Sequence, residues 1–211
     1  MTDTLSILGT GVYLPPARPV KEVVAEAGGD SSIFQGWENV CHARDEDHPS
    51  SMGADALRRA LDDSGVNAAD LQLVIFAGMS RDYLPSYSVA TEIMKTCDVP
   101  GTCVGIDLTI GCLGALSALD LAHGWLAVRG GGLAAIVTAE RWSYTIDHSS
   151  SESYGLWAHA DGGAATIVGI NTKHASKAEF AGAETVTQSD LNGSIIIKYG
   201  GTQNPVAPEG V

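Results

Sequence analysis

Positive charge is scarce in this chain: 12 lysines and arginines stand against 25 aspartates and glutamates, a net charge of −13. A protein that grips nucleic acid needs a basic stripe to neutralise phosphates, and none is present. The same deficit argues against an anionic membrane surface as partner. Only 18% of the residues are charged, and an acidic balance of this kind serves solubility. Long apolar runs are lacking too. The longest, Gly111 to Val128, is interrupted by Asp120 and His123, which excludes a transmembrane span. No secretory signal is legible, because Met1 to Thr4 is polar and Leu5 to Leu8 is far too short for an h-region. Cysteine is sparse: positions 41, 97, 103 and 112, with no Cys-x-x-Cys pair. That spacing suits neither a zinc ribbon nor a disulfide framework and leads to the expectation of a reduced, cytoplasmic protein. No histidine pair has metal-ligand spacing with a supporting acid, so neither a metal nor a bound cofactor is expected.

What is present is a strand–helix alternation in a chain that is 45% hydrophobic. Thr4 to Gly9 reads as a first strand, ended by Gly9, Gly11 and Pro15-Pro16, and Val20 to Ala27 as a short helix. Gly28 to Ser51 reads as a polar surface loop, and Ser51 as the cap of a helix Met52–Ser64 stopped by Gly65. Leu71–Phe76 and Leu133–Thr138 are apolar strands without polar alternation, the pattern of strands covered on both faces, and Cys103–Leu108 reads as a further strand. Ser88–Thr96 and Cys112–Arg129 read as helices. After a polar segment, Ala139 to Trp157, further strands are expected at Ala164–Gly169, Ala178–Thr187 and Ile195–Tyr199. This order predicts an α/β fold around a mostly parallel sheet. Gly9-Thr-Gly11 does not open a dinucleotide site, since Leu14 stands at the third glycine position and no acidic residue follows at the required distance.

The helix after Cys112 carries Leu113, Leu116, Leu119, Leu121, Trp125 and Leu126 around nearly its whole circumference, which calls for burial on every side, although a single sheet within this chain is expected to cover only one of them. Cys112 itself follows Thr109-Ile110-Gly111, where a strand gives way to that helix. A thiol there faces unpaired N–H groups and the positive end of the helix dipole, which favour the thiolate that attacks thioesters. Gly111 and Gly114 leave room for an acyl chain and for N–H groups that stabilise an oxyanion. Position alone fits equally a small buried apolar cysteine. A hydrolase nucleophile elbow is excluded, because Ile110 stands where glycine is required.

The segment Asp107-Leu-Thr-Ile-Gly-Cys112-Leu-Gly-Ala-Leu-Ser-Ala-Leu-Asp-Leu-Ala122 resembles the active-site segment of type III β-ketoacyl-acyl-carrier-protein synthases, members of the thiolase superfamily. Ile7-Leu-Gly-Thr-Gly-Val-Tyr-Leu-Pro15, Phe76-Ala-Gly-Met-Ser to Leu84-Pro85-Ser86, and His159-Ala-Asp161-Gly162-Gly163-Ala-Ala resemble further segments of that family in order. The resemblance covers nearly all of the chain and implies a thiolase-like fold, the N-terminal half of a five-layer αβαβα architecture. Residues 1–199 would be the half that carries the nucleophile, and 200–211 a connection toward a C-terminal half.

By resemblance, Cys112 is acylated from an acyl-carrier-protein or acyl-coenzyme A thioester, and Leu84 sits at the acyl tunnel across a homodimer interface. The histidine and the asparagine or aspartate that work with the cysteine come from the second half, in the same polypeptide or a companion chain. None of His42, His48, His123, His148, His159 and His174 takes that histidine's place. His123 is expected to be a satisfied core residue, and His42, His48 and His148 to be solvated. Trp37 lies in the stretch aligned with the nucleotide-binding region. Phe34 and Ser153 fall where the family's coenzyme A-binding arginines are expected, which points to delivery on a carrier protein. The segment Tyr199-Gly-Gly-Thr-Gln-Asn-Pro-Val-Ala-Pro-Glu209 resembles ketosynthase-III-like acyltransferases of secondary metabolism, so condensation and simple acyl transfer both stand. The other alternative is a non-catalytic partner subunit similar to chain-length factors, against which the retained Cys112 argues.

Overall fold

The computed structural model describes residues 4–34, 36–84, 86–156, 159–194 and 196–208. In chain order its elements are β1 (Leu5–Tyr13), β2 (Ala17–Pro19), α1 (Val20–Glu26), β3 (Asn39–Cys41), α2 (Pro49–Ser64), β4 (Leu73–Phe76), α3 (Val89–Thr96), β5 (Val104–Asp107), α4 (Gly114–Ala127), β6 (Gly132–Glu140), β7 (Gly162–Ile170) and β8 (Ala178–Phe180). Six strands form one sheet in the order β5-β4-β6-β7-β1-β8, and β2 pairs with β3 apart from it. Only β4–β5 and β4–β6 are parallel; β6–β7, β7–β1 and β1–β8 are antiparallel. The expected mostly parallel sheet is therefore mixed. A strand buried on both faces reads as apolar whichever way its neighbour runs, so pattern alone does not set direction.

Period-two alternation divides the sheet into two apolar faces. Leu8, Val74, Phe76, Ala135, Val137 and Ile167 pack with Met52, Ala56, Leu57 and Ala60 of α2 and Ile93 of α3. Leu73, Ile75, Ala134, Ile136, Val168 and Ile170 face the opposite way, onto Ala118, Ala122 and Leu126 of α4. The result is three layers, helix–sheet–helix. Among the described residues no helix is long and apolar enough to cross a membrane.

Within this chain only one side of α4 is covered, as expected. Its stripe at 118, 122 and 126 is buried, whereas Leu113, Leu116 and Leu121 are each about half exposed, at 53%, 55% and 50%. The sheet covers one face of that helix, and the leucines of the other face remain in the open.

Several boundaries move for physical reasons. β1 runs straight through Gly9 and Gly11, which are sites of close approach rather than breakers. A Cβ on Gly9 would lie 2.6 Å from Ser64 Cβ, and one on Gly11 would collide with the Ala56 carbonyl and the Ala60 nitrogen. α2 begins at Pro49, not Met52, because His48 is its cap and Ser51 Oγ accepts the His48 N–H at 2.9 Å. Gly65 ends α2 in the left-handed region, at φ +66°, as expected. The loop from Gly28 to Ser51 contains a 3-10 turn at Ser31–Phe34 and strand β3. β8 is only three residues long, since Gly182 bends the chain at φ +127°. Residues 196–199 form no strand. Met1 to Asp3, Pro85, Trp157, Ile195 and residues 209–211 lie outside the described residues.

The end of β1 is tied to the α2 entry by a buried carboxylate. Asp47 accepts the Tyr13 hydroxyl at 2.7 Å and the Arg44 guanidinium at 2.9 and 3.0 Å. The Arg44 side chain is the main cause that holds its pKa down at about 2, against the opposing effect of burial. A depressed carboxyl contributes stability that is full above its unfolded pKa of about 3.9 and is lost as pH falls toward about 2. In urea denaturation followed from pH 6 to 2, Asp47→Asn should flatten that acid-side loss; profiles parallel to the unsubstituted protein would refute the linkage. Gly11→Ala should destabilise by about 1–3 kcal/mol through overpacking against the α2 backbone, measured at pH 7. An unchanged midpoint would show that α2 can move aside.

Candidate active site

β5 is an edge strand, and the chain leaves it at Asp107 to reach α4 through Leu108 to Leu113. Gly111 takes φ +64°, a conformation that a side chain resists, and residues Gly111–Leu113 make a 3-10 turn before α4 begins at Gly114. Cys112 thus lies in the turn that leads into the helix, two residues ahead of its first regular position, and its side chain is exposed. Gly114 has another role than the one expected. It is buried, and a Cβ there would lie 3.0 Å from the Ala77 carbonyl oxygen, so it lets α4 start against the end of β4.

Three polar side chains fasten the turn's surroundings. Asp107 accepts the N–H groups of Val89 and Ala90 at 3.1 and 2.8 Å and so holds the start of α3 to the end of β5. Glu140, at the end of β6, accepts the Met79 N–H at 2.6 Å, the Ser80 N–H at 2.9 Å and the Ser80 hydroxyl at 2.5 Å. Arg81 donates to the Gly78 and Ser80 carbonyls at 2.7 and 3.0 Å and to Thr109 Oγ1 at 2.8 Å, with its guanidinium 5.1 Å from the centre of the Phe76 ring. The loop after β4 is thereby bound both to β6 and to the segment that leads to Cys112.

That loop carries Met79, whose sulfur lies 3.7 Å from where a Cβ on Gly111 would stand. Met79 also forms one wall of an apolar cavity of about 280 Å³, shared with Trp142, Tyr144, Leu156, Ile196 and Ile197. The cysteine turn therefore has an apolar cavity as its neighbour, reached across Met79. Trp142 was not legible as a site residue, since an isolated Trp in a loop carries no motif, and Met79 stood within the Phe76-Ala-Gly-Met-Ser segment with no role read for it. Glu140 does carry a signal: an acidic residue that ends a buried strand must find donors.

The remaining sequence candidates fall in different places. Leu84 is 68% exposed on the loop after β4, near Gly200. Trp37 is 40% exposed. Phe34 is buried with Val20, Val23, Val24 and Ile146 in a small satellite core. Ser153 is half-buried in a 3-10 turn, its N–H on the Ser150 carbonyl at 3.2 Å. Asp161 is buried and accepts Ala43 N–H at 2.7 Å and Ser143 N–H at 2.9 Å, joining the loop after β3 to the one after β6.

His48 is exposed, as expected, whereas His42 and His148 depart from the expected solvation. His42 and His148 are half-buried with ring centres 5.9 Å apart, and burial followed by His42 lowers the His148 pKa. His48 accepts from Arg141 through Nδ1 at 3.3 Å, because a guanidinium has only donors to offer. His123 is half-buried and meets Phe180 edge to face rather than sitting in a sealed core. Among the described residues Cys112 has no histidine partner.

The family profile of 3-oxoacyl-[acyl-carrier-protein] synthase III matches residues 106–189, which include the cysteine turn. Mycobacterial β-ketoacyl-[acyl-carrier-protein] synthase III of Mycobacterium tuberculosis is 30% identical over 172 residues, 79% of this chain and 50% of that protein. The corresponding synthase III of Neisseria meningitidis serogroup A is 27% identical over 166 residues, 77% and 51% of the two. Among solved structures, OleA of Xanthomonas campestris superposes with a TM-score of 0.69 at 21% identity, over 80% of this chain and 57% of that one. The priming β-ketosynthase of the R1128 polyketide pathway gives 0.71 at 24% identity, over 81% and 51%. The chain shares the thiolase-like fold of these structures. The chain is similar to β-ketoacyl-[acyl-carrier-protein] synthase III and spans about half the length of the curated relatives it matches.

The four cysteines differ enough to be told apart chemically. Burial pushes the Cys103 thiol up to about 11 and raises that of Cys97 as well, while Cys112 is exposed. With limiting iodoacetamide at pH 8, peptide mapping should find Cys112 alkylated well before Cys97 and Cys103. Equal labelling of the three would contradict the burial described.

Proposed function

We propose that Cys112 is the acyl-carrying nucleophile of a ketosynthase-III-like enzyme of fatty acid or polyketide-type biosynthesis. The observation that carries this reading is the placement of an exposed thiol in the β5–α4 turn, one side chain away from an apolar cavity. Similarity to β-ketoacyl-[acyl-carrier-protein] synthase III supports the same reaction class.

In the proposed step, Cys112 Sγ attacks the carbonyl carbon of a thioester. A new C–S bond forms, the donor's C–S bond breaks, and the thiol proton leaves with the donor thiol. The apolar chain of the acyl group then lies along Met79 and Trp142 and is shielded from water. Activation of the thiol and polarisation of the carbonyl need a base and an oxyanion donor. We assign these to a histidine and an asparagine or aspartate of a C-terminal half, within the same polypeptide or on a companion chain. Such a half would also cover Leu113, Leu116 and Leu121, which the sheet leaves exposed.

The proposed donor is an acyl-carrier protein, since Phe34 and Ser153 replace the expected phosphate-binding arginines. The protein is read as a cytoplasmic homodimer in which Leu84 reaches toward the partner's acyl site. Incubation with acyl-carrier-protein and acyl-coenzyme A thioesters, followed by intact mass, tests these points. An adduct of the acyl mass is expected, faster from the carrier protein and absent in Cys112→Ala. An adduct that survives Cys112→Ala would remove the assignment, and equal rates from both donors would remove the carrier preference. Carbon dioxide release with malonyl-carrier protein separates condensation from simple transfer.

A further inference from the structure

Ser80 and Tyr144 line the apolar cavity beside Cys112 and also a second cavity of about 260 Å³, walled by His48, Arg81, Asp82 and Arg141. The two spaces therefore share a wall, and the second adds charged side chains to it. Arg81 and Arg141 bring two guanidiniums to the second one. Among the described residues neither lies in an ion pair. Arg81 donates to the Gly78 and Ser80 carbonyls and Thr109 Oγ1, and Arg141 to the Asp45 and Asp47 carbonyls and His48 Nδ1. All of these acceptors are uncharged.

Asp82 is the one carboxylate in this wall, and it is occupied. Its oxygens accept the Ser50 N–H at 3.1 Å and the Ser50 hydroxyl at 2.5 Å, at the first turn of α2. Two positive charges thus face one engaged negative charge, in a chain where acids outnumber bases 25 to 12. The Arg141 Nε is moreover buried without a hydrogen-bond partner. Partly desolvated guanidiniums without a counter-ion are costly, and an oxyanion placed between them relieves that cost with charge-assisted hydrogen bonds. The distance to the chemistry is short. Arg81 is anchored on Thr109, and three residues of extended chain place that anchor at most about 11 Å from Cys112.

We propose that the acyl group accepted here ends in a carboxylate, which docks between Arg81 and Arg141 while its methylenes occupy the apolar cavity. The substrate class is then a dicarboxylic acid joined to its carrier at one end. The proposal rests on the acyl-Cys112 reading and is separable from it.

The first test compares N-acetylcysteamine thioesters, which carry no phosphate: glutaryl, its monomethyl ester, and pentanoyl. Intact mass of the protein should show glutaryl labelling of Cys112 about tenfold faster than either neutral ester, the worth of one charge-assisted hydrogen bond. In Arg81→Gln and in Arg141→Gln the ratio of glutaryl to pentanoyl rates should fall toward one, and Arg81→Lys should retain part of it. Equal rates for the three thioesters in the unsubstituted protein would overturn the proposal.

The second test needs no acylation. Calorimetric titration of the unsubstituted protein and of Cys112→Ala with free glutarate should show binding that Arg81→Gln weakens, and pentane-1,5-diol should show none. Glutarate binding without any thioester labelling would keep the anion cavity and sink the cysteine reading. Labelling by neutral thioesters without glutarate binding would do the reverse. Inorganic phosphate that binds more tightly than glutarate would assign the cavity to a phosphate group of the carrier arm, and overturn the carboxylate.

Discussion

The position of Cys112 depends on how closely the start of α4 can approach the end of β4. Gly114 meets the Ala77 carbonyl where a Cβ would stand only 3.0 Å away, and Gly111 turns the backbone at φ +64° to allow the meeting. With a larger residue at either place the helix would have to lift from the sheet. Its stripe of Ala118, Ala122 and Leu126 would lose contact with Leu73, Ile75 and Ile136, and the thiol would be carried away from Met79. Packing density in the second core and the aim of the nucleophile are therefore the same constraint seen from two ends.

The acidic balance of the chain is not spent on the surface alone. Asp107, Glu140, Asp82 and Asp161 each accept backbone N–H groups from a segment distant in sequence. A carboxylate with two acceptor oxygens can hold two donors at once, which suits the loops at the ends of strands where main-chain groups lack ladder partners. Asp107 does this for α3, Glu140 for the loop after β4, Asp82 for α2, and Asp161 for two loops around the site. Removal of any one would leave donors unsatisfied in places that shape the cavities, so these acids couple local order to the geometry near the cysteine.

Much of the architecture was legible because it follows from periodicity. The apolar runs at Leu73–Phe76 and Gly132–Glu140, the helix stop at Gly65 and the turn before Cys112 can each be read from residue type and spacing. Strand direction was not, since the apolar runs of a covered strand look alike in either sense. The role of Gly9 and Gly11 was misread for a similar reason: glycine marks both a break and a close approach, and only the partner helix distinguishes them. At the site, Cys112 stood out by its place between strand and helix. Arg81 and Met79 did not, because their contacts run to residues 28 and 61 positions away. Phe34, placed by alignment where an arginine of the family is expected, is buried in a satellite core.

Part of the bed on which α2 rests is made of main chain. Gly11 meets the Ala56 carbonyl, and a Cβ on Gly163 of β7 would lie 2.7 Å from the Met52 carbonyl oxygen. A side-chain contact can be repaired by a new rotamer or a smaller neighbour, but a backbone atom has no substitute. Sequence drift along this seam is consequently one-sided: the helix residues can exchange among small apolar types, while the strands beneath cannot acquire any side chain at these two points. Lineages that diverge widely in their loops would still keep this rail, and with it the register of α2 on the sheet.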